Sequence, residues 1–277
     1  MRPHCVVIGA GIVGSSCAWH LVRKGARVTL IDSEQPGHGA SSGNAGCICK
    51  SSIFPFSHPG AIRQVPGWLL DPHGPMRIRW SHFLPSMPWL YHFWRAGKAH
   101  RVEEIVAAQV TLMNSVIDDY DDILAATGGE ALRKSHGMIL LYDTAKEFAR
   151  DAWKYESRAR LGFPWQRLTR DELNALEPCI QLGEGVAVFE PEWQHLIDPG
   201  AVTRRIADAA IERGASWLQD RVRTISANAD EVSLSTESGR SLKADRLIIA
   251  GGVWSNAVIG QLGYKVPLIS KRGYHSM

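Results

Sequence analysis

A short glycine-rich motif near the start of the chain constrains its fold more than any other feature. The motif is Gly9-Ala10-Gly11-Ile12-Val13-Gly14, and the apolar run Cys5-Val6-Val7-Ile8 leads directly into it. Residues 12–24 carry apolar side chains at helical spacing, and a second apolar run, residues 27–31, closes at Asp32. This order predicts a βαβ unit, the start of a parallel, doubly wound α/β sheet of the Rossmann type.

Each glycine of the motif has a separate physical reason in such a unit. Gly9 permits the tight turn, Gly11 lets the backbone approach a pyrophosphate, and Gly14 lets the helix pack close to the strand. The free N–H groups at the start of the helix and the positive end of the helix dipole favour phosphate at this point.

The acidic residue that ends the second strand adds a further contact. Asp32 follows Gly14 by 18 residues, at the position where a carboxylate accepts hydrogen bonds from the adenosine ribose and repels a 2′-phosphate. Strand, glycine turn, helix, strand and acid together predict a bound dinucleotide. They do not distinguish FAD from NAD.

Two later segments carry similar signals. Residues 39–46 are rich in Gly and Ser and come straight off the second strand, so they can line a pyrophosphate or form a flexible surface loop. Residues 245–255 contain an apolar strand followed by Gly251-Gly252. The glycine pair indicates either a second place where the backbone approaches a cofactor or a simple turn.

The rest of the chain gives a coarse order of elements. Residues 54–98 are rich in Pro, Trp and His and predict short helices at most, whereas residues 101–127 predict one long amphipathic helix. Thr169 and Glu172 have the spacing of a capping box. The remaining predictions are strands over residues 137–143, 185–191, 216–218, 221–225, 231–235 and 246–250, and helices over 145–161 and 199–213.

Composition excludes several classes of protein. The 277 residues carry a formal net charge of +3 without a basic run, which argues against a nucleic-acid partner. The five cysteines match neither a disulfide framework nor a zinc site, and the histidines lack metal spacing, so we expect free thiols in the cytoplasm and no metal. We find no signal peptide and no apolar stretch of the roughly 20 residues that span a bilayer.

The motifs together resemble the FAD-dependent D-amino-acid oxidase superfamily, and within it the small subunit of bacterial D-amino-acid dehydrogenases. The resembling segments are residues 6–14, 28–32, 41–46, 195–200, 244–255 and 267–275. The resemblance implies an FAD-binding domain, residues 1–50 and 195–263, interleaved with a partial α+β substrate domain, residues 51–194 and 264–277. It also implies a chain that is incomplete at its C-terminus, a truncated form or one half of a split enzyme with a complementing fragment.

The resemblance assigns residues to the cofactor. Ser41, Ser42, Asn44, Ala45 and Gly46 would line the pyrophosphate and the flavin. The backbone of Val222 would meet the adenine, and Gly251 and Trp254 would lie along the cofactor. They join Gly9, Gly11, Ile12, Val13, Gly14 and Asp32 as the predicted FAD site.

The implied reaction is the oxidative deamination of a D-amino acid to a 2-oxo acid and ammonia, by hydride transfer from the α-carbon to the flavin. Sarcosine or glycine oxidase and D-hydroxyproline dehydrogenase use the same fold and are alternatives. A further alternative is an inactive fragment. An NAD-linked dehydrogenase is also an alternative, but the Gly- and Ser-rich loop after Asp32 argues against it. No catalytic residue is identified. Arg272, Tyr274 and His275 are candidates to face the substrate, because an arginine can bind a carboxylate through two hydrogen bonds. The alternative is that they are ordinary positions of a strand.

The Trp-rich segment also has two interpretations. It contains four tryptophans, Trp68, Trp80, Trp89 and Trp94, together with four arginines, Arg63, Arg77, Arg79 and Arg95. Such a mixture is typical of a membrane-surface patch, which would suit peripheral attachment at the inner face of the membrane and electron transfer to a membrane quinone. The alternative is aromatic packing between the two parts of the protein.

Overall fold

The computed structural model describes residues 2–70, 80–228, 231–268, 270 and 273. The chain divides into two compact units. The first contains residues 1–47, 120–134 and 195–277, and the second contains residues 48–119 and 135–194.

Thirteen strands lie in the described part of the chain. In chain order they are β1 (His4–Ile8), β2 (Arg27–Asp32), β3 (Cys47–Ile48), β4 (Arg133–Lys134), β5 (Met138–Tyr142), β6 (Gln166–Leu168), β7 (Val186–Glu190), β8 (Gln194–Leu196), β9 (Ser216–Gln219), β10 (Val222–Ala227), β11 (Val232–Thr236), β12 (Ser241–Ala244) and β13 (Arg246–Ile249).

Nine α-helices lie in the same described ranges. They are α1 (Ile12–Arg23), α2 (Pro59–Leu70), α3 (Trp80–Ala96), α4 (Ala99–Met113), α5 (Val116–Thr127), α6 (Ala145–Arg160), α7 (Arg170–Leu176), α8 (Pro199–Glu212) and α9 (Ser255–Ile259).

The first unit is built on a parallel four-stranded sheet in the order β13-β1-β2-β9. All five residues of β1 are buried, as expected for a central parallel strand covered on both faces. Helices α1 and α8 pack against each other beside it. On another side, Val6, Ile8 and Ile31 share a core cluster with Leu234 of the antiparallel sheet β10-β11-β12. The predicted βαβ unit and α/β fold are confirmed.

The second unit is α+β. Its antiparallel sheet has the order β5-β7-β6, with Ile139 opposite Phe189 and Arg167 opposite Val188. Tyr155 of α6 packs on Val186 and Val188. Helix α7 begins with the predicted capping box of Thr169 and Glu172, which satisfies two backbone N–H groups at that end.

Two predictions about helices were wrong. Residues 54–98 contain α2, with 12 residues, and α3, with 17 residues, rather than short helices only. Helix α3 continues through Pro85 and Pro88, which are both exposed. Each proline removes one N–H from the helix, but on an exposed side water can satisfy the carbonyl that loses its partner, so the helix continues.

The single long helix predicted over residues 101–127 is two helices. Helix α4 ends at Met113 and α5 begins at Val116, with Asn114 and Ser115 between them. Ser115 accepts a hydrogen bond from the backbone of Asp119 through its carbonyl. The apolar periodicity continues across this break, which is why the pattern alone does not reveal it.

Candidate functional site

The candidate site lies at the carboxyl edge of the parallel sheet in the first unit. Strand β1 is paired on one side with β2 and on the other with β13, and all three run parallel. The loops after Ile8, Asp32 and Ile249 therefore leave the sheet at the same edge. Neighbouring loops that diverge from a central strand in this way create the crevice where doubly wound sheets bind ligands.

The glycine turn is packed too tightly for side chains. Gly9 has φ of 103°, and a Cβ there would lie 2.4 Å from the carbonyl oxygen of Ala250 and 2.8 Å from the nitrogen of Gly251. A Cβ on Gly14 would lie 1.8 Å from the carbonyl oxygen of Gly9. The backbones that follow β1 and β13 are thus in direct contact, and α1 starts against the turn.

The amino end of α1 is open to an anion. Gly11 is the N-cap residue and, as a glycine, has no side chain that could accept a hydrogen bond from the first turn. The first turn of α1 also contains no acidic residue. The N–H of Ile12 donates to Oγ of Ser41 at 2.9 Å. Val13 is exposed. The helix dipole and the N–H groups of this turn present positive charge at a surface that no carboxylate of α1 neutralises.

Asp32 is bound to the loops around it. Its Oδ2 accepts from the N–H of Ala10 at 2.7 Å, and its Oδ1 accepts from the N–H of Glu34 at 3.1 Å. A carboxylate oxygen has two lone pairs, so both oxygens retain acceptor capacity for a further donor. The position of Asp32 is therefore compatible with the predicted ribose contact.

The glycine-rich loop is shaped by Asn44. Its Nδ2 donates to the carbonyl oxygens of Ala40 and Ser41, each at 3.1 Å, and its Oδ1 accepts from the N–H of Gly46 at 2.8 Å. The carbonyl of Gly46 accepts from the N–H of Leu196 at 2.7 Å. The amide of Asn44 thus fixes the turn through three hydrogen bonds, and β8 fixes the C-terminal end of the loop through Leu196. Ser42 and Ala45 are exposed on this loop.

The other predicted cofactor residues lie in the same unit. Val222 packs at the edge of the core cluster that contains Ile8 and Ile31. The N–H of Trp254 donates to the carbonyl of Gly251 at 3.1 Å, and the indole side chain is 67% exposed. Contact of any of these residues with a cofactor stays a prediction. Arg272, Tyr274 and His275 lie outside the described residues.

Sequence reasoning missed the contacts that hold the site together. Ser41 was predicted to line the cofactor, but its bond to Ile12 joins residues 29 positions apart. The N–H of Gly37 donates to the carbonyl of Ala10 at 3.0 Å, and Gly37 was not predicted as a site residue. The signal in the sequence was the dipeptide Pro36-Gly37 soon after the second strand; in the structure Gly37 has φ of 79°.

The second unit contains a buried charged cluster that the sequence did not indicate. Glu190 is 2% exposed. Its Oε1 accepts from Arg158 at 2.6 Å, and its Oε2 accepts from Trp193 at 2.8 Å and also from the hydroxyl of Ser51. Both carboxylate oxygens are therefore hydrogen-bonded, which is what a charge this deeply buried requires.

An aromatic group adjoins this cluster. The hydroxyls of Tyr142 and Tyr155 are 2.7 Å apart. Burial raises the pKa of both phenols, and the hydrogen bond to Tyr155 raises that of Tyr142 further. Neither phenol therefore ionises near neutral pH. Burial likewise lowers the pKa of His58, whose Nδ1 accepts from the N–H of Ala61 at 3.2 Å at the start of α2.

The second unit also has an open apolar pocket of about 630 Å³ between α2, α4 and α6, lined in part by Phe54, Val102, Val106 and Trp153. In the described ranges no group of three or more His, Cys, Asp or Glu side chains is arranged to hold a metal ion. Over the same part of the chain, no helix is both long and apolar enough to cross a membrane.

Open helix termini and glycine turns of this kind are the features that hold a pyrophosphate in dinucleotide-binding folds. Comparisons with known proteins identify the family. The model of the family described as DAO, FAD dependent oxidoreductase, matches residues 4–277. A protein from Bradyrhizobium diazoefficiens described as a D-amino-acid oxidase is 32% identical over 279 residues, which cover 99% of this chain and 66% of that protein.

Solved structures with the same fold include a glycine oxidase from Geobacillus kaustophilus, with a TM-score of 0.66, 21% identity and coverage of 95% of this chain and 59% of that one. They also include an L-proline dehydrogenase from P. horikoshii, with a TM-score of 0.64, 21% identity and coverage of 95% and 56%. The chain thus spans somewhat less than two thirds of these relatives. It belongs to the DAO family of FAD-dependent oxidoreductases.

Proposed function

We propose that this chain binds FAD at the carboxyl edge of its parallel sheet and forms part of an enzyme that deaminates a D-amino acid oxidatively. The observation that carries the proposal is the contact between the turns after β1 and β13 at Gly9, Ala250 and Gly251, beside the open start of α1. In its FAD-binding role the domain would comprise residues 1–50 and 195–263. Residues 51–194 and 264–277 would serve the substrate.

The residues around the turn would bind the diphosphate. Phosphate oxygens would accept from the N–H groups of Val13 and Gly14 at the start of α1. Ser41 accepts from Ile12, so its own hydroxyl proton stays available for a phosphate oxygen. The free lone pairs of Asp32 would accept from the ribose hydroxyls, and its negative charge would disfavour a 2′-phosphate.

The loop fixed by Asn44 would continue along the cofactor. Ser42, Ala45 and Gly46 would line the pyrophosphate and the flavin, while the internal bonds of Asn44 keep the loop in one conformation. The backbone of Val222 would meet the adenine. Gly251 and the exposed ring of Trp254 would lie along the cofactor. FAD, when bound, supplies the acceptor for a hydride from the substrate α-carbon, and water then hydrolyses the imino acid to a 2-oxo acid and ammonia.

The proposed substrate is a D-amino acid. The relative from Bradyrhizobium supports a D-amino acid. Glycine or sarcosine oxidation is the second candidate, since a glycine oxidase shares the fold, and D-hydroxyproline is a third. Arg272 and Tyr274 are proposed to face the substrate carboxylate, which a guanidinium can bind through two hydrogen bonds. The electron acceptor is proposed to be a membrane quinone.

The test has two steps on the purified 277-residue chain. An absorbance spectrum with flavin bands, or their appearance when FAD is added, supports the cofactor proposal; a protein that stays colourless in excess FAD overturns it for this chain. D-Alanine, glycine, sarcosine and D-hydroxyproline are then supplied in turn with a dye acceptor, and reduction of the dye is measured; 2-oxo acid is measured as well for D-alanine and glycine. The chain could also bind flavin without turning over any substrate. If co-expression of a fragment from downstream coding sequence then restored turnover, the result would indicate a split enzyme.

A further inference from the structure

The outward face of α3 is apolar. Leu84, Met87, Tyr91 and Trp94 follow one another at intervals of three, four and three residues, which places them in one stripe along the helix. Their exposed fractions are 78%, 46%, 54% and 48%. A surface helix normally presents charged and polar side chains in this position. We call these four residues the α3 stripe.

A different face of α3 packs on the protein. Leu90, Phe93 and Ala96 are partly buried. The carbonyl of Phe93 accepts from the hydroxyl of Ser57. A Cβ on Gly97, just beyond the helix, would lie 2.3 Å from Cδ1 of Ile62. The α3 stripe is therefore not the packing surface of this helix within the second unit.

The charged side chains of α3 and of Lys98, just beyond it, have one sign. Helix α3 contains no Asp or Glu. Arg95 and Lys98 lie at its C-terminal end, and among the described residues neither forms an ion pair. Nζ of Lys98 is 4.6 Å from the ring centroid of Trp94, so a cation and an amphipathic aromatic ring share one end of the stripe. This juxtaposition complements an anionic surface.

We propose that α3 is a docking surface for a lipid bilayer that contains anionic headgroups. The helix would lie in the plane of the interface, with the α3 stripe facing the acyl region and Arg95 and Lys98 at the phosphates. Trp and Tyr suit this depth because their rings are apolar and their polar tips reach water. A bilayer is favoured over an acidic protein surface because the stripe offers apolar area from Leu84 to Trp94, whereas the cations of the described residues lie beside it at the C-terminal end of the helix.

Flotation with vesicles tests the proposal on the 277-residue chain. We expect the chain to float with vesicles of phosphatidylcholine and phosphatidylglycerol, and far less with phosphatidylcholine alone. Arg95→Gln and Lys98→Gln should each lower the partition coefficient about fivefold at low salt. Leu84→Ala combined with Trp94→Ala should lower it by about tenfold or more, since both remove apolar area from the interface.

Leu112→Ala is the matched control. Leu112 is an exposed leucine on α4 of the same unit, and its loss should leave flotation unchanged. Circular dichroism of each variant checks that α3 and the fold remain. Loss of binding only in unfolded variants, equal loss in Leu112→Ala, or no flotation at all would overturn the proposal. So would a dimer in sedimentation velocity that the stripe variants abolish, because a second copy would then cover the face.

Bromine-labelled lipids give a second measurement, made on the parent chain and on one conservative variant. Brominated acyl chains should quench the fluorescence of the parent chain, and Trp94→Phe should remove part of that quenching while flotation stays close to that of the parent. Unchanged quenching in Trp94→Phe would show that another surface enters the bilayer.

Discussion

The carboxylate of Asp32 accepts a hydrogen bond from the backbone N–H of Ala10, with 2.7 Å between Oδ2 and the nitrogen. The residue that ends β2 is thereby joined to the turn that follows β1. The two parts of the proposed nucleotide site, the diphosphate turn and the ribose acceptor, are held in register by this bond. A change at Asp32 therefore acts on both.

Asp32→Asn is expected to weaken FAD binding by about 10-fold to 100-fold, since hydrogen bonds to a charged group contribute about 1.5–3 kcal/mol. The amide keeps the size of the side chain but has one acceptor oxygen and no charge. Fluorescence titration of FAD into the apoprotein measures the change. Asp208→Asn, an exposed acid on α8 of the same unit, is the control; equal affinities for the two variants would contradict the role given to Asp32.

Gly14→Ala is expected to destabilise the first unit by about 3 kcal/mol or more, because the new Cβ would lie 1.8 Å from the carbonyl oxygen of Gly9 and only backbone movement relieves that overlap. Thermal unfolding followed by circular dichroism measures it. Gly39→Ala is the matched control in the nearby loop, since no atom lies within 4 Å of its Cβ position. A melting temperature for Gly14→Ala equal to that of the control would show that the turn relaxes freely.

Glu190→Gln is expected to cost about 3–5 kcal/mol of unfolding free energy, as breaking a buried ion pair does. Glutamine offers one acceptor oxygen and no charge to the three side chains that donate to Glu190, namely Arg158, Ser51 and Trp193. Glu192→Gln removes a partly exposed pair with Lys50 and should cost about 1 kcal/mol or less. Urea unfolding of the two variants compares them, and similar losses would mean that burial does not decide the effect.

His58 should make the second unit less stable in acid. Burial lowers its pKa in the folded protein, proximity of Lys154 adds to this effect, and Asp151 opposes it. The unfolded chain therefore binds a proton that folded His58 resists. Stability from this group is complete above the ordinary pKa of 6.5 and declines as the pH falls below it, by at most about 1.4 kcal/mol per pH unit.

His58→Asn separates this effect from the capping bond. Asparagine still offers an oxygen to the N–H of Ala61 at the start of α2, but it does not titrate. Urea unfolding at about pH 7.5 and about pH 5.5 should therefore show a smaller loss of stability in the variant than in the parent chain. An identical loss in both proteins would assign the acid sensitivity to other groups.

The helix boundaries show where local patterns suffice and where they do not. The Thr169 capping box and the helix that begins at Pro199 follow from residues within four positions of each other, and both were predicted. The break between Met113 and Val116 was not, because apolar periodicity runs across it. The continuation of α3 through Pro85 and Pro88 depends on the prolines being exposed, which no local pattern reports.

The sequence by itself determined the βαβ unit, the glycine turn and the acid at the end of β2, because these depend on spacing within about 30 residues and on backbone sterics. Only the tertiary structure decided that Gly9 touches Ala250, that Ser41 caps Ile12, and that Arg158 and Trp193 surround Glu190. Those contacts join residues far apart in the chain, and which distant groups meet is set by the packing of whole sheets and helices. The exposure of the α3 stripe has the same origin: the sequence shows its apolar residues, and the fold decides which of them face outward.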